Sequence, residues 1–592
     1  MDGKGCSGSP TARRGGGGGD KRQDSWAPAA APELQLGAVR WRPYWWWPPS
    51  RGCAARRLPA VVCGAAAVAA AVVVIFAGGG SLIKGTPYSL FFHDAQEDRP
   101  PANLTADQLL DGLFTAEFSY RSCRSRYEFA GYHKKSSHKP SPYLLAKLRK
   151  QEALQKRCGP GTAAHKKALR RLKSGEGAAT DAEDDGCRYL VNISFRGLGN
   201  RMLAVASAFL YAVLTERVLL VHWGKKDVAD LFCEPFPHAT WVLPRAGWRS
   251  PLRKLDDYDG ESKMSLGNML QSSAVGVSAD GNVSWASPRT PPYVYLHLSG
   301  GYGYHDKLFY CGTHQRLLRD VPWLLMRTDS YMVPGLFLTP LFIEELEAMF
   351  PEKDAAFYHV GRYLFHPSNA VWHAVTSYYR SNLAGASRRV GIQIRVFQEK
   401  QPPQQVLEQL LSCVRDEKLL PVPEIKTAND TSSSNAVLVT SLSSWYYERL
   451  KDEYDGRLAD GGVHQPSHEG EQRWGDAAHD MKALSEMYLL STCDVLVTSG
   501  FSTFGYVAQG LGGLQPWVMP RIPSWDEWKE GQAAPEPPCR RALSVEPCFH
   551  SPSYYDCAAR RDVELDKVKP YIRRCVDVSW GIKLVNESSS RW

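Results

Sequence analysis

A chain of 592 residues is too long for one ordinary domain, and its 43% apolar and 11% aromatic content supplies large cores and excludes a mainly disordered protein. The formal charge of +9 belongs mostly to one end: residues 1–57 hold ten Lys/Arg against four acids, leaving a near-neutral body. A neutral body speaks against a nucleic-acid partner.

Taken in chain order, residues 1–57 carry a run of five glycines, several prolines and the cluster WRPYWWWPPS, and read as a disordered cytoplasmic tail. Leu58–Phe76 follows, 19 residues without a charge. At ~1.5 Å per residue it covers roughly 28 Å, close to a ~30 Å hydrocarbon core. Arg51, Arg56 and Arg57 stand before it, and the next basic residue is Lys84. The positive-inside rule puts the N-terminus in the cytoplasm and the rest in the lumen, as a single-pass type II anchor over 58–80. A cleaved signal peptide fits less well, because the run is too long and starts too deep in the chain.

Luminal placement agrees with five N-x-S/T sequons, at Asn103, Asn192, Asn282, Asn429 and Asn586, all after the anchor. Asn192 falls inside an expected strand and is the poorest acceptor. Eleven of the fourteen cysteines also follow the anchor, so at least one is unpaired. Cys539, Cys548, Cys557 and Cys575 cluster near the end. No CxxC or Cys/His spacing suggests zinc, so disulfides of open pairing are expected.

Residues 81–186 read as a stem and N-terminal extension, with a basic helical stretch, Leu144–Leu172, broken at Gly159-Pro160-Gly161. From Cys187 the pattern turns α/β. CRYLVNISF reads as a strand, GLGNR a turn, MLAVASAFLYAVL a helix and RVLLVHW a second strand. VGIQIRVF, AVLVTSL and DVLVTS repeat the strand pattern, each followed by a helix. Strands alternating with helices imply a parallel sheet covered on both faces. Two Rossmann-like halves, 187–385 and 386–592, follow from this.

Three segments carry candidate chemistry. Gly197-Leu198-Gly199-Asn200-Arg201 lies between a strand and a helix start, where glycines admit a close ligand and free N–H groups attract anions. It lacks the GxGxxG spacing of a dinucleotide site. In Gly391–Phe397, strand alternation puts Gln393 and Arg395 on one face, and an arginine at a strand's carboxyl end can grip a phosphate. Ser502 and Thr503, followed by Phe504 and Tyr506, open a helix whose hydroxyls and N–H groups can hold a diphosphate. Asp256-Asp257-Tyr258-Asp259 resembles a metal-binding Asp-x-Asp, but follows the loop-like PLRKL and reads as a solvated acidic turn.

Together CRYLVNISFRGLGNRMLAVASAFLYAVLTERVLLV, LFCEPFP, FHPSNAVWHAVTSYY, GIQIRVF, DVLVTSGFSTFGYVAQGLGGLQPWV and PCFHSPSYYDC closely resemble, in order, the plant fucosyltransferase family that includes the xyloglucan fucosyltransferases. The resemblance implies a GT-B-like luminal fold of two Rossmann-like halves, GDP-fucose as donor, no metal or other cofactor, and inverting α-1,2 transfer to a terminal galactose of a cell-wall glycan in the Golgi. Gly500-Phe501 departs from it, since the family more often has a small residue and then Trp. On this reading Arg395 serves catalysis at the β-phosphate, and Gln393, Ser502, Thr503, Phe504 and Tyr506 form the donor site. Asn200 and Arg201 face it from the other half. Asp329 is the candidate base and His305 the runner-up. The expected partners are GDP-fucose, a galactose-terminated polysaccharide or proteoglycan, and the Golgi membrane through one helix. An oligomer is compatible with the sequence. Arabinogalactan protein or pectin as acceptor, or a catalytically silent glycan-binding scaffold, are the alternatives.

Overall fold

The computed structural model describes residues 109–175 and 186–587, except 225–227, 248–249, 279–282, 301, 397–402, 421–433, 455–457, 459–460, 522–534 and 554–568. The tail, the Leu58–Phe76 run and the sequons at Asn103, Asn282 and Asn429 lie outside the described residues. Among the described residues no helix is long and apolar enough to cross a membrane.

Helix α1 (Pro142–Cys158) is capped by Ser141, whose Oγ accepts from the Leu144 N–H at 3.0 Å, with Pro142 at the first position where no N–H is needed. It stops at Gly159, and Thr162 caps the next helix, Ala163–Ser174. The Gly-Pro-Gly break is where the sequence puts it. The first sheet contains β1 (Arg188–Ile193), which leads into α2 (Leu198–Leu214), then β2 (Arg217–His222), β3 (Tyr293–Leu298) and β4 (Trp323–Thr328). Its order is β2-β1-β4-β3, all parallel. Helix α3 (Ala356–Leu364) precedes the second half. That half has β5 (Arg388–Gln393), α4 (Pro403–Asp416), β6 (Asn435–Thr440), α5 (Trp445–Tyr454), β7 (Gly462–His464), α6 (Ala477–Ser491), β8 (Val495–Ser499), α7 (Thr503–Gly512), β9 (Trp517–Met519) and β10 (Arg540–Arg541). The order is β10-β9-β8-β5-β6-β7, parallel except for the β9–β10 pair.

The α/β class and two-sheet architecture match the expectation, and β3 and β4 were not among the expected strands. Strands such as β6, buried along its whole length, are covered on both faces, as parallel sheets require. Asn192 in β1 is fully buried, and its Oδ1 accepts from Ser194 Oγ at 2.7 Å, so this sequon is closed to modification.

Helix α1 is built into the first half. Strand β2 is a sheet edge, and an edge leaves backbone groups unpaired. Gln155 satisfies both groups of Leu219, its Nε2 donating to the carbonyl at 2.7 Å and its Oε1 accepting from the N–H at 3.1 Å. Gln151 Nε2 donates to the Arg217 carbonyl at 2.8 Å. A disulfide from Cys158 to Cys187 ties the end of α1 to the start of β1. The folded body thus begins upstream of the expected 187. Further disulfides join Cys123 to Cys233, Cys413 to Cys539 and Cys548 to Cys575, and Cys311 is also oxidised. Cys493 is a buried free thiol, as the odd count requires.

Every residue of α2 except Asn200 is buried. It lies between the first sheet and α7, so Leu203 and Phe209 of one half share a core with Leu484 and Leu511 of the other. Arg201 crosses this boundary: its Nη2 donates to both carboxylate oxygens of Asp480, at 2.8 and 2.7 Å, with both residues 4% exposed. Removing one member of such a pair strands a buried charge, at a cost of ~3–5 kcal/mol. Asp480→Ala is therefore expected to lower the urea midpoint by a corresponding amount. An unfolding curve that overlays the wild type would show the pair to be energetically idle.

Candidate active site

The carboxyl ends of both sheets open onto one cleft of about 460 Å³. This is where doubly wound sheets place ligands, because loops there can vary while the strands stay fixed. Arg196 and Gly197 leave β1, Asp329 and Ser330 leave β4, Ile394 and Arg395 leave β5, and Phe501 and Ser502 leave β8; all line the cleft.

Two helix N-termini meet there. Gly197 precedes α2 and Ser502 precedes α7, and neither makes a side-chain cap. First-turn N–H groups have no intrahelical partner and carry the positive end of the helix dipole. The two starts touch: a Cβ on Gly199 would stand 2.8 Å from the Thr503 backbone, so only glycine allows the approach. Asn200 spans the junction. Its Nδ2 donates to the Asp329 carbonyl at 2.9 Å, and its Oδ1 accepts from Thr503 Oγ1 at 3.2 Å.

Arg395 lines the cleft with its Nη2 donating to Gln472 Oε1 at 2.6 Å and its backbone N–H donating to Ser499 Oγ at 2.9 Å. Burial pulls its pKa down, which marks a cation held in a partly dry place. Gln393, 3% exposed, also lines the cleft, and its Oε1 is buried without a hydrogen-bond partner. Asp329 Oδ2 is held by Arg196 Nε at 2.6 Å. Opposite them the Glu486 carboxyl is pushed up to about 8 by burial and accepts from Ser467 Oγ at 2.6 Å.

Of the expected residues, the structure gathers Asn200, Asp329, Gln393, Arg395, Ser502, Thr503 and Phe504 on the cleft wall. Arg201 differs. Its guanidinium points into the body toward Asp480 and lies 4.8 Å over the Trp223 ring, because the fourth residue of α2 faces the buried side. Tyr506 sits one turn into α7, 4% exposed and behind the wall. Its hydroxyl donates to Asp577 Oδ2 at 2.5 Å and meets His550 Nε2 at 3.0 Å. His305, on the turn Tyr304–Lys307, does not line the cleft. The Asp256–Asp259 segment is an exposed turn paired with Lys254 and His222, away from the cleft lining.

Sequence reasoning passed over Arg196, His550 and Asp577. His550 lines the cleft and stacks on Phe501 at 4.3 Å. Phe501 takes the left-handed φ of 60°, and its N–H donates to Asp577 Oδ2 at 2.9 Å. One carboxylate therefore fixes both Phe501 and Tyr506, and through them the imidazole. The PCFHSPSYYDC motif contains His550, but nothing local ties it to a turn some fifty residues earlier.

Residues 88–558 match the sequence profile described as xyloglucan fucosyltransferase. The galactoside 2-alpha-L-fucosyltransferase of Arabidopsis thaliana is 48% identical over 499 residues, covering 82% of this chain and 84% of that protein. The Pisum sativum protein of the same name is 46% identical over 502 residues, covering 83% and 84%. A solved structure of an arginine-to-lysine mutant of Arabidopsis thaliana FUT1 in complex with GDP superposes with a TM-score of 0.71 at 47% identity, over 81% of this chain and 100% of that one.

Burial depresses the His550 pKa from 6.5 to about 4, against the pull of Asp577 and Asp329. Between these values the unfolded chain binds the proton and the native one does not, so this group's contribution is complete above pH 6.5 and is lost as pH falls toward 4. His550→Gln should flatten the fall in unfolding free energy over that interval by up to ~3 kcal/mol relative to wild type. Equal pH slopes for the two proteins in urea titrations would contradict a buried neutral imidazole.

Proposed function

The chain belongs to the xyloglucan fucosyltransferase family, and from that premise we propose that it is a GDP-fucose-dependent galactoside 2-α-L-fucosyltransferase acting on a galactose-terminated glycan of the xyloglucan type. The observation that carries this is the convergence of Arg395 with the uncapped starts of α2 and α7 on one cleft. Departure of GDP places negative charge on the β-phosphate, and fixed donors aimed at that charge lower the barrier most effectively in a water-poor site. Arg395 supplies a full charge already oriented by Gln472, and the helix starts supply N–H groups that need no reorganisation.

The acceptor galactose presents its 2-hydroxyl to the anomeric carbon on the face opposite GDP, so the configuration inverts in one displacement. Asp329 takes the hydroxyl proton. Arg196 fixes its carboxylate through Oδ2, leaving Oδ1 with a 3.4 Å contact from Ser330. Leu58–Phe76 and the arginines before it support placing the chain in the Golgi membrane as a single-pass type II protein with the cleft in the lumen.

Loss of one fixed donor to a developing charge typically costs ~10²–10³ in turnover. Arg395→Ala should fall by that factor in acceptor-dependent GDP release; turnover near wild type would remove Arg395 from the phosphate. Xyloglucan, arabinogalactan and acceptor-free reactions run side by side test the acceptor, and release that no glycan stimulates would favour a silent binding protein. Asp329→Asn is expected to lower kcat by about 10²-fold or more, the share a positioned general base supplies. An unchanged kcat would rule Asp329 out as the base.

A further inference from the structure

Where the segment leading into α1 crosses the body, a second group of ionisable side chains comes together. His138 Nδ1 is hydrogen-bonded to Glu352 Oε2, across 214 residues of sequence. An oxygen of the Asp354 carboxylate joins them, the three ligand atoms all lying within 4.8 Å of one another. Asp354 is 8% exposed, and its Oδ1 is buried with no hydrogen-bond partner. His359, close enough for His138 to oppose its protonation, likewise has a buried Nδ1 without a partner. None of these residues lines the cleft described above.

A buried carboxylate oxygen with nothing to accept from is costly, and native structures rarely leave one. The neighbouring ammonium groups make their hydrogen-bond and ion-pair contacts with other residues. Lys353 pairs with Glu587 at 3.2 Å, and Lys583 donates to the Ser544 carbonyl at 3.2 Å. Two carboxylates gathered round one imidazole carry surplus negative charge in a place that is half withdrawn from water.

We propose that His138, Glu352 and Asp354 form a divalent transition-metal site, best matched to Zn²⁺, that clasps the segment before α1 to the body. One imidazole and two carboxylates are zinc ligands at ~2.0–2.2 Å, with water completing four-coordination. The imidazole disfavours Mg²⁺, which takes oxygen ligands. Ligands round a tetrahedral zinc stand roughly 3.3 Å apart, so the three groups close inward slightly on binding. Glu352 is on the surface, its side chain 44% exposed, and can make that movement. The ion completes a seam already begun by Ser141 Oγ donating to the Met349 carbonyl at 2.8 Å and by the Lys147–Glu345 ion pair. It acts on stability and takes no part in sugar transfer.

The test uses the detergent-solubilised full chain, stripped with chelator and titrated with ZnCl₂, MnCl₂ or MgCl₂ by calorimetry and thermal unfolding. One Zn²⁺ per chain is expected, with a Tm that rises to saturation, a weaker response to Mn²⁺ and none to Mg²⁺. His138→Gln, Glu352→Gln and Asp354→Asn should each weaken Zn²⁺ binding at least tenfold and abolish the Tm rise. The surface variant Glu352→Gln should keep the metal-free Tm and GDP binding of the wild type, so that its loss of zinc is read on a folded protein. Absence of stoichiometric Zn²⁺ binding, its survival unchanged in the three variants, or an equal response to Mg²⁺ overturns the site.

Discussion

The cleft depends on a contact between two helix starts. Helix α2 comes from one half and α7 from the other, and Gly199 lies so close to the Thr503 backbone that no side chain fits between them. Packing two positive dipole ends together is unfavourable by itself. It persists because the bodies of the helices are buried in one shared core, and because Arg201 and Asp480 pin the halves together just below. Asn200 then uses its amide to accept from one half and donate to the other. The consequence is a small region dense in unpaired N–H groups, next to Arg395, with negative charge as the natural occupant.

The acids of the cleft are managed so that they do not cancel this field. Asp329 is neutralised by Arg196, Asp480 by Arg201, and Glu469 by Lys482. Glu486 is held by burial near neutrality in its charge, since its pKa is pushed to about 8. Arg395 donates from Nη2 to the uncharged Gln472, a contact that leaves its positive charge in place. A site tuned in this way suits a leaving group that gains negative charge, which is the chemistry shared by sugar-nucleotide transfer.

Rigidity comes from ties that span long stretches of chain. The disulfide from Cys123 to Cys233 and the glutamines of α1 bind the extension to the first half, and the Cys413–Cys539 bridge braces the second. On the cleft wall, Asp577 holds Phe501 and Tyr506 together and the Cys548–Cys575 bridge steadies the segment that carries His550. These devices place the aromatic face of Phe501 and the imidazole against each other at the cleft mouth.

Strand alternation and the following helices were enough to read two parallel α/β halves, and the carboxyl ends of those strands were enough to point at Arg395, Gln393 and the Ser502–Phe504 turn. Such features are local: a period, a cap, a glycine before a helix. The long motifs, through resemblance, carried the reading from a nucleotide-sugar enzyme to fucose transfer. Tertiary structure decided what locality cannot encode. Arg201 was legible as a cation beside a helix start, yet whether it faced ligand or core depended on Asp480, 279 residues away. Strands β3 and β4 are short apolar runs whose membership of the first sheet is set by pairing, β4 with β1 and β3 with β4. His550, Asp577 and the His138–Glu352–Asp354 group acquire meaning only when folding brings distant segments within hydrogen-bonding range, because a charge or an imidazole has no role until its neighbours are fixed.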